Sequence, residues 1–117
     1  MIIKTFWNLE FRKIFGERKE DILLVLADRT CRAIITSTID KSKSAIEISN
    51  ECGISLASVY RRVEILLTNK IVTPSAIISK DGKKIFFYKA NINHIQTWFD
   101  INGIEVKISN FPKIKNN

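Results

Sequence analysis

The side chains best able to do chemistry in this sequence are two cysteines, Cys31 and Cys52, one histidine, His94, and a set of arginines and lysines in the middle of the chain. A Ser/His/Asp nucleophile set would have to be built on His94 alone. No GxxxxGK[ST] or GxGxxG stretch offers a phosphate cradle, and no HExxH offers a catalytic zinc site. Two cysteines in no close pair are too few for a disulfide scaffold or a four-thiolate zinc site. They read as small buried thiols. The sequence therefore points away from an enzyme, and neither a metal nor a cofactor is expected.

The basic residues carry more. The chain has a formal net charge of +7. Residues 41–89 hold nine Lys/Arg against four Asp/Glu, whereas the segments on either side are nearly balanced. A local basic excess suits a polyanionic partner. Within it, Arg61 and Arg62 stand close to Ser55, Ala57, Ser58 and Tyr60, and Lys80, Lys83 and Lys84 surround Asp81-Gly82. Arginine can grip a guanine edge with two hydrogen bonds, small residues allow close approach, and lysines neutralise phosphates.

The elements that would position these groups are legible from periodicity. The first fifteen residues are aromatic and apolar and read as a short helix or an irregular arm ended by Gly16. A helix is expected from Lys19 to Ala27, faced by Ile22, Leu23, Val25 and Leu26. Asp28 caps a second helix through Ile39. Ser44-Ala45-Ile46-Glu47 has the form of a capping box and opens a third, short helix to Cys52. Gly53 breaks it, where a reversal within about three residues demands positive φ. Ser55 caps a fourth helix to about Asn69, whose Leu56, Val59, Val63, Leu66 and Leu67 form one apolar stripe. Ile48 and Val59 would pack the third and fourth helices together. Residues 74–80 and 84–90 are β-rich and flank Asp81-Gly82, a hairpin signal. A second hairpin is expected across Asn102-Gly103, between 96–101 and 104–109.

A short capped helix, a tight turn and a longer amphipathic helix describe a helix-turn-helix. A hairpin with a basic tip directly after it makes a winged helix. The expected fold is thus mainly α with a β-hairpin wing (α+β), plus a C-terminal β-hairpin. The fourth helix would enter the major groove with Ser55, Ala57, Ser58, Tyr60, Arg61 and Arg62. The wing lysines Lys80, Lys83 and Lys84 would meet the backbone or the adjacent minor groove, and Lys43 and Ser44 would meet phosphates at the approach to the motif.

These segments also carry a family resemblance. ADRTCRAIITSTI, then SAIEISNECGISLASVYRRVEILLTNKIV and a DGKK wing, resemble the ArsR-type (arsenic-repressor-like) winged-helix regulators over about residues 20–90, archaeal members in particular. Asp28 and Thr30 match the opening of that group's second helix, with Cys31 where Arg is usual. Gly53-Ile54-Ser55, Ser58-Val59 and Arg61 match its recognition helix. Asn69-Lys70-Ile71-Val72 replaces its Gly before a Leu-Val pair, with Asn69 as the next-best left-handed residue. The resemblance implies a DNA-binding regulator that dimerises through terminal elements. It carries over no metal site, because only Cys52 stands at the end of the third helix.

Three regions are expected: an N-terminal aromatic arm or helix (1–16), a winged helix-turn-helix domain (17–92), and a C-terminal hairpin and tail (93–117). The functional expectation is a sequence-specific regulator of double-stranded DNA. The alternative is a winged helix used for protein contacts within transcription or replication machinery. A homodimer is expected, joined through Phe6, Trp7, Phe11, Trp98, Phe99 and Val106, since aromatic residues are favoured interface anchors. No stretch reaches the roughly 18 apolar residues that span a bilayer, and the opening MIIKTFWNLEFRK lacks the long apolar run and small-residue cleavage site of a signal peptide, so no membrane contact and a cytoplasmic location are expected.

Overall fold

The computed structural model describes residues 11–110. Its elements in chain order are β1 (Arg12–Ile14), α1 (Gly16–Ala27), α2 (Arg29–Ser37), α3 (Ala45–Cys52), α4 (Leu56–Thr68), β2 (Val72–Ile78), β3 (Lys84–Ala90), β4 (Ile92–Asp100) and β5 (Gly103–Asn110). β2 and β3 form a two-stranded antiparallel sheet, and β1, β5 and β4 form a three-stranded one in that order. This is the expected α+β winged helix with a C-terminal hairpin.

The helix boundaries follow from local chemistry. Asp28 caps α2 by accepting from the Thr30 amide at 3.1 Å. Ser44 Oγ accepts from the Glu47 amide while the Glu47 carboxylate accepts from the Ser44 amide, so both halves of the capping box of α3 are made. The Ser44 amide, with the Ser44 hydroxyl beside it, holds the Glu47 carboxyl below the usual carboxylate range. Gly53 ends α3 at φ 66°, and the Gly53 and Ile54 amides both donate to Ser49 O. Ser55 Oγ accepts from the Ser58 amide and starts α4.

Several expectations move. Gly16 opens α1 rather than ending the arm, at φ 64°. α2 stops before Thr38, whose hydroxyl donates back to Ile34 O and whose carbonyl accepts from the Ala90 amide of β3. The segment before Gly16 is neither helix nor irregular arm over residues 12–14. It is a strand, with Arg12, Lys13 and Ile14 in register with Ile108, Lys107 and Val106. Phe6 and Trp7 lie outside the described residues. The wing loop is longer than two residues. Gly82 N–H donates to Ser79 O and Ser79 N–H to Lys83 O, enclosing Lys80-Asp81-Gly82. In the second hairpin Asp100 pairs with Gly103, so the turn residues are Ile101 and Asn102 and not Asn102 and Gly103.

The core joins all of these elements. Ile22, Ile34, Ile48, Val59 and Leu66 of the four helices are fully buried together with Ile71, Val106 and Ile108. Ile48 and Val59 pack as the helix-turn-helix requires. Ile14 of β1, Ile92 of β4 and Val106 and Ile108 of β5 belong to the same cluster, so the core extends beyond residues 20–90. Val106 is fully buried and cannot anchor a dimer, which corrects that expectation. The radius of gyration is 15.8 Å, against about 13 Å for a compact chain of roughly 100 residues. The two hairpins stand out from the helical body.

Candidate nucleic-acid interface

α4 sits with Val59, Val63 and Leu66 in the core. Its opposite face is therefore turned outward. Ala57, Tyr60 and Arg61 are exposed in its first two turns, and Ser58 is half-buried. Among the described residues, no hydrogen bond or ion pair engages the Arg61 guanidinium, so five N–H donors remain available on an exposed helix face. Ser55 is exposed but its hydroxyl already accepts the capping bond.

Arg62 differs from its neighbour. Its Nε donates to Asp28 Oδ2 at 2.7 Å, and both side chains are partly covered. Arg62 faces α2 as a strut between helices, not as a base-reading residue, and that correction follows from its position about 100° round the helix from Arg61. The Cys31 thiol and the Arg62 guanidinium beside Asp28 hold its carboxyl below the usual range. Burial, helped by the neighbouring Asp28 carboxylate, pushes the Cys31 thiol up to about 12.

Lys43 is likewise committed inside the protein. Its amide and carbonyl both bond Tyr88 of β3, at 3.0 and 2.8 Å, and add a one-residue bridge to the wing. Its Nζ donates to Ser37 O at 2.5 Å and pairs with Glu51 at 2.5 Å. Lys43, with Ser37, holds the Glu51 carboxyl low. The expected phosphate contact from this ammonium is corrected to a clamp that joins the end of α2, the end of α3 and the base of the wing.

The wing presents what the sequence suggested. Lys80 and Lys83 stand exposed at the loop, and Lys84 opens β3 with its ammonium 5.2 Å from the Phe86 ring centroid. β3 pairs Phe86 with Ala76 and Lys84 with Ile78, on the face that carries the buried Tyr88 toward the helices. That face and the start of α3 and α4 border an apolar cleft of about 500 Å³, lined by Ser44, Ile46, Tyr60, Lys84, Phe86 and Tyr88 among others. The fold thus brings Ser44, Tyr60 and Lys84 to one cleft. Ile46 and Phe86, both exposed there, were missed in the sequence. The signal was present for Phe86, which stands two residues from both Lys84 and Tyr88 on one strand face.

Among the described residues no group of three or more His, Cys, Asp or Glu side chains could hold a metal ion. No helix among them is long and apolar enough to cross a membrane. No protein-family model matches the sequence, and neither does any curated protein. Solved structures do share the fold. The crystal structure of NolR from Sinorhizobium fredii superposes with a TM-score of 0.51 at 16% identity, over 63% of this chain and 69% of NolR. A possible transcriptional regulator from Methanosarcina mazei Go1 superposes with a TM-score of 0.51 at 16% identity, over 68% of this chain and 73% of its own. At that identity the likeness concerns the fold, and the fold of this chain is the winged helix.

Proposed function

We propose that this protein is a sequence-specific, double-stranded-DNA-binding transcriptional regulator of the ArsR-type, archaeal-like, and that it acts as a homodimer. The observation that carries the reading is an exposed Arg61 on the outer face of α4, with no hydrogen bond or ion pair among the described residues, beside Tyr60, which shares one cleft with Lys84 of the lysine-tipped wing. α4 enters the major groove, with Arg61 on a base edge and Ala57 allowing close approach. Ser55 lies at the helix start, and Ser58 and Tyr60 flank Arg61. Lys80, Lys83 and Lys84 neutralise phosphates beside it. The printed description of one structural neighbour, a possible transcriptional regulator, supports the same reading. The matches at Asp28, Thr30, Gly53, Ser55, Ser58 and Arg61 support the family assignment.

Selection of bound duplexes from a random pool, followed by gel shifts at two salt concentrations, tests it. A recovered consensus with two half-sites and an affinity that falls steeply with salt is the expected result. Retention of random duplex without enrichment, or no binding at low salt, overturns it.

A further inference from the structure

Among the described residues β4 is an outer strand of its sheet, and from Ile95 to Phe99 it lacks the devices that normally blunt a free strand edge. Such edges are protected by charged side chains, proline, bulges or brevity. The other outer strand of this sheet, β1, is three residues long and begins Arg12-Lys13. In the wing, β2 carries Pro74 and β3 is partly covered by the Lys43 bridge. β4 runs for nine residues, and its only irregularity lies at its start, between Ile92 and His94. From Ile95 to Phe99 it holds no charge and no proline. The apolar side chains at its tip and in the following turn are bare: Trp98 is 66% exposed, Phe99 79% and Ile101 101%.

We infer that this edge pairs with the same edge of a second copy, β4 to β4 in antiparallel register centred on Thr97, giving a continuous six-stranded sheet. The inference deepens the homodimeric reading above and rests on it. Two arguments select a second copy as the occupant. The first is self-complementarity. With Thr97 on the two-fold axis, Ile95 faces Phe99 of the other copy and Gln96 faces Trp98. Directly opposed residues share a sheet face, so Ile95 meets Phe99 on one face and the uncharged Gln96 lies against Trp98 on the other. The Asp100 carboxylates fall at opposite ends, each across from His94, and no like charges meet despite the +7 charge of each chain. The second is area. Aromatic side chains can bury about 150–250 Å² each. Two Trp98 and two Phe99, 66% and 79% exposed, therefore bring at most roughly 400–700 Å² of new burial, and Ile101 and the paired strands extend this toward the roughly 1,200 Å² of a stable interface. The outer face of the sheet is already quiet, since Lys13 and Lys107 both pair with Glu105.

Sedimentation equilibrium on the full chain, beside its Thr97→Lys and Thr97→Cys variants, tests this. Thr97 is exposed, so both variants keep the fold, and unchanged circular dichroism melting checks that. The wild type is expected to be a dimer. Thr97→Lys sets two ammonium groups together on the axis and raises the dimer dissociation constant roughly tenfold or more. Thr97→Cys, made with Cys52→Ser, forms a covalent dimer on oxidation, because opposed strand residues lie within disulfide reach. A monomeric wild type overturns the proposal, as does a dimer that tolerates Thr97→Lys or that crosslinks through Trp98→Cys in place of Thr97→Cys. The DNA reading fails separately. A monomer that still enriches a consensus sinks the edge pairing alone, and a β4-linked dimer that binds no DNA sinks the regulator alone.

Discussion

Arg62 Nε donates to Asp28 Oδ2 at 2.7 Å, and this bond ties the middle of α4 to the N-cap of α2. One carboxylate thus serves the Thr30 amide, the Cys31 thiol and the Arg62 guanidinium. Asp28→Ala removes a cap worth about 1 kcal/mol and strands a half-covered guanidinium, for a total loss of roughly 1–3 kcal/mol. Urea denaturation at neutral pH measures it. The pH dependence has a fixed sign. The folded carboxyl titrates below its unfolded value of about 3.9, so its contribution is complete above that value and is lost as pH falls through the lower, folded one. The stability gap between wild type and Asp28→Asn therefore holds at neutral pH and closes below about pH 4. A gap that widens in acid contradicts the assignment.

The two adjacent arginines should separate cleanly. Arg61→Ala keeps stability within about 0.5 kcal/mol, as an exposed helix position should. It weakens binding to the selected consensus by about 1–3 kcal/mol and relaxes preference at one base pair. Arg62→Ala lowers stability and leaves base preference alone. A swapped pattern, with Arg62→Ala changing the recovered consensus, would reverse their roles.

The wing lysines act through phosphates. Replacing Lys80, Lys83 and Lys84 together with Gln lowers affinity for all duplexes alike. It reduces the slope of log affinity against log salt by up to about 2.7, since each contact contributes roughly 0.9. Titration across several salt concentrations reads this directly. An unchanged slope removes the wing from the backbone.

What was readable in the sequence was local. The capping box of Ser44 and Glu47, the αL Gly53 and the Ser55 cap each complete their contacts within a few residues, so their spacing reveals them. Arg62 and Lys43 misled because their partners are set by packing: Asp28 lies 34 positions away from Arg62, and the Lys43 bridge partner is Tyr88. β1 was hidden for the same reason. Three residues with one buried side chain show no period, and they become a strand only because β5 offers a free edge. Trp98 and Phe99 are exposed, whereas Val106 on the same hairpin is buried, because alternation on β5 sends it into the core.

Cys31 should be inert in the folded protein. It is 2% exposed and its thiol is pushed up to about 12, while the thiolate is the reactive form. Alkylation at about pH 8 leaves Cys31 unmodified until denaturant is added, and mass spectrometry of the digested protein localises the label. Folded-state labelling of Cys31 at the rate of a free thiol would show that the α1–α2–α4 packing opens readily.

The end of α4 holds a residue in a conformation unsuited to it. Asn69, the expected left-handed position, has φ −91°, and its side-chain amide donates to Ile65 O. The left-handed residue is Lys70, the only non-glycine with positive φ among the described residues, at 58°. Its amide donates to Leu67 O, and the Ile71 amide donates to Leu66 O at 2.8 Å. That is a Schellman ending with lysine where glycine is preferred. The ending is forced from both sides, because Leu66 and Ile71 are fully buried and the next strand must begin at Val72. A left-handed β-carbon costs roughly 1–2 kcal/mol, part of which glycine returns as extra unfolded-state entropy. Lys70→Gly is therefore expected to stabilise the protein by about 1 kcal/mol and to raise Tm by a few degrees. The gain should appear as a higher urea midpoint with an unchanged slope, since surface burial does not alter. Lys70→Ala, which keeps the β-carbon while removing the charge, should give no such gain. Equal stabilisation by both variants would assign the effect to charge and not to backbone strain.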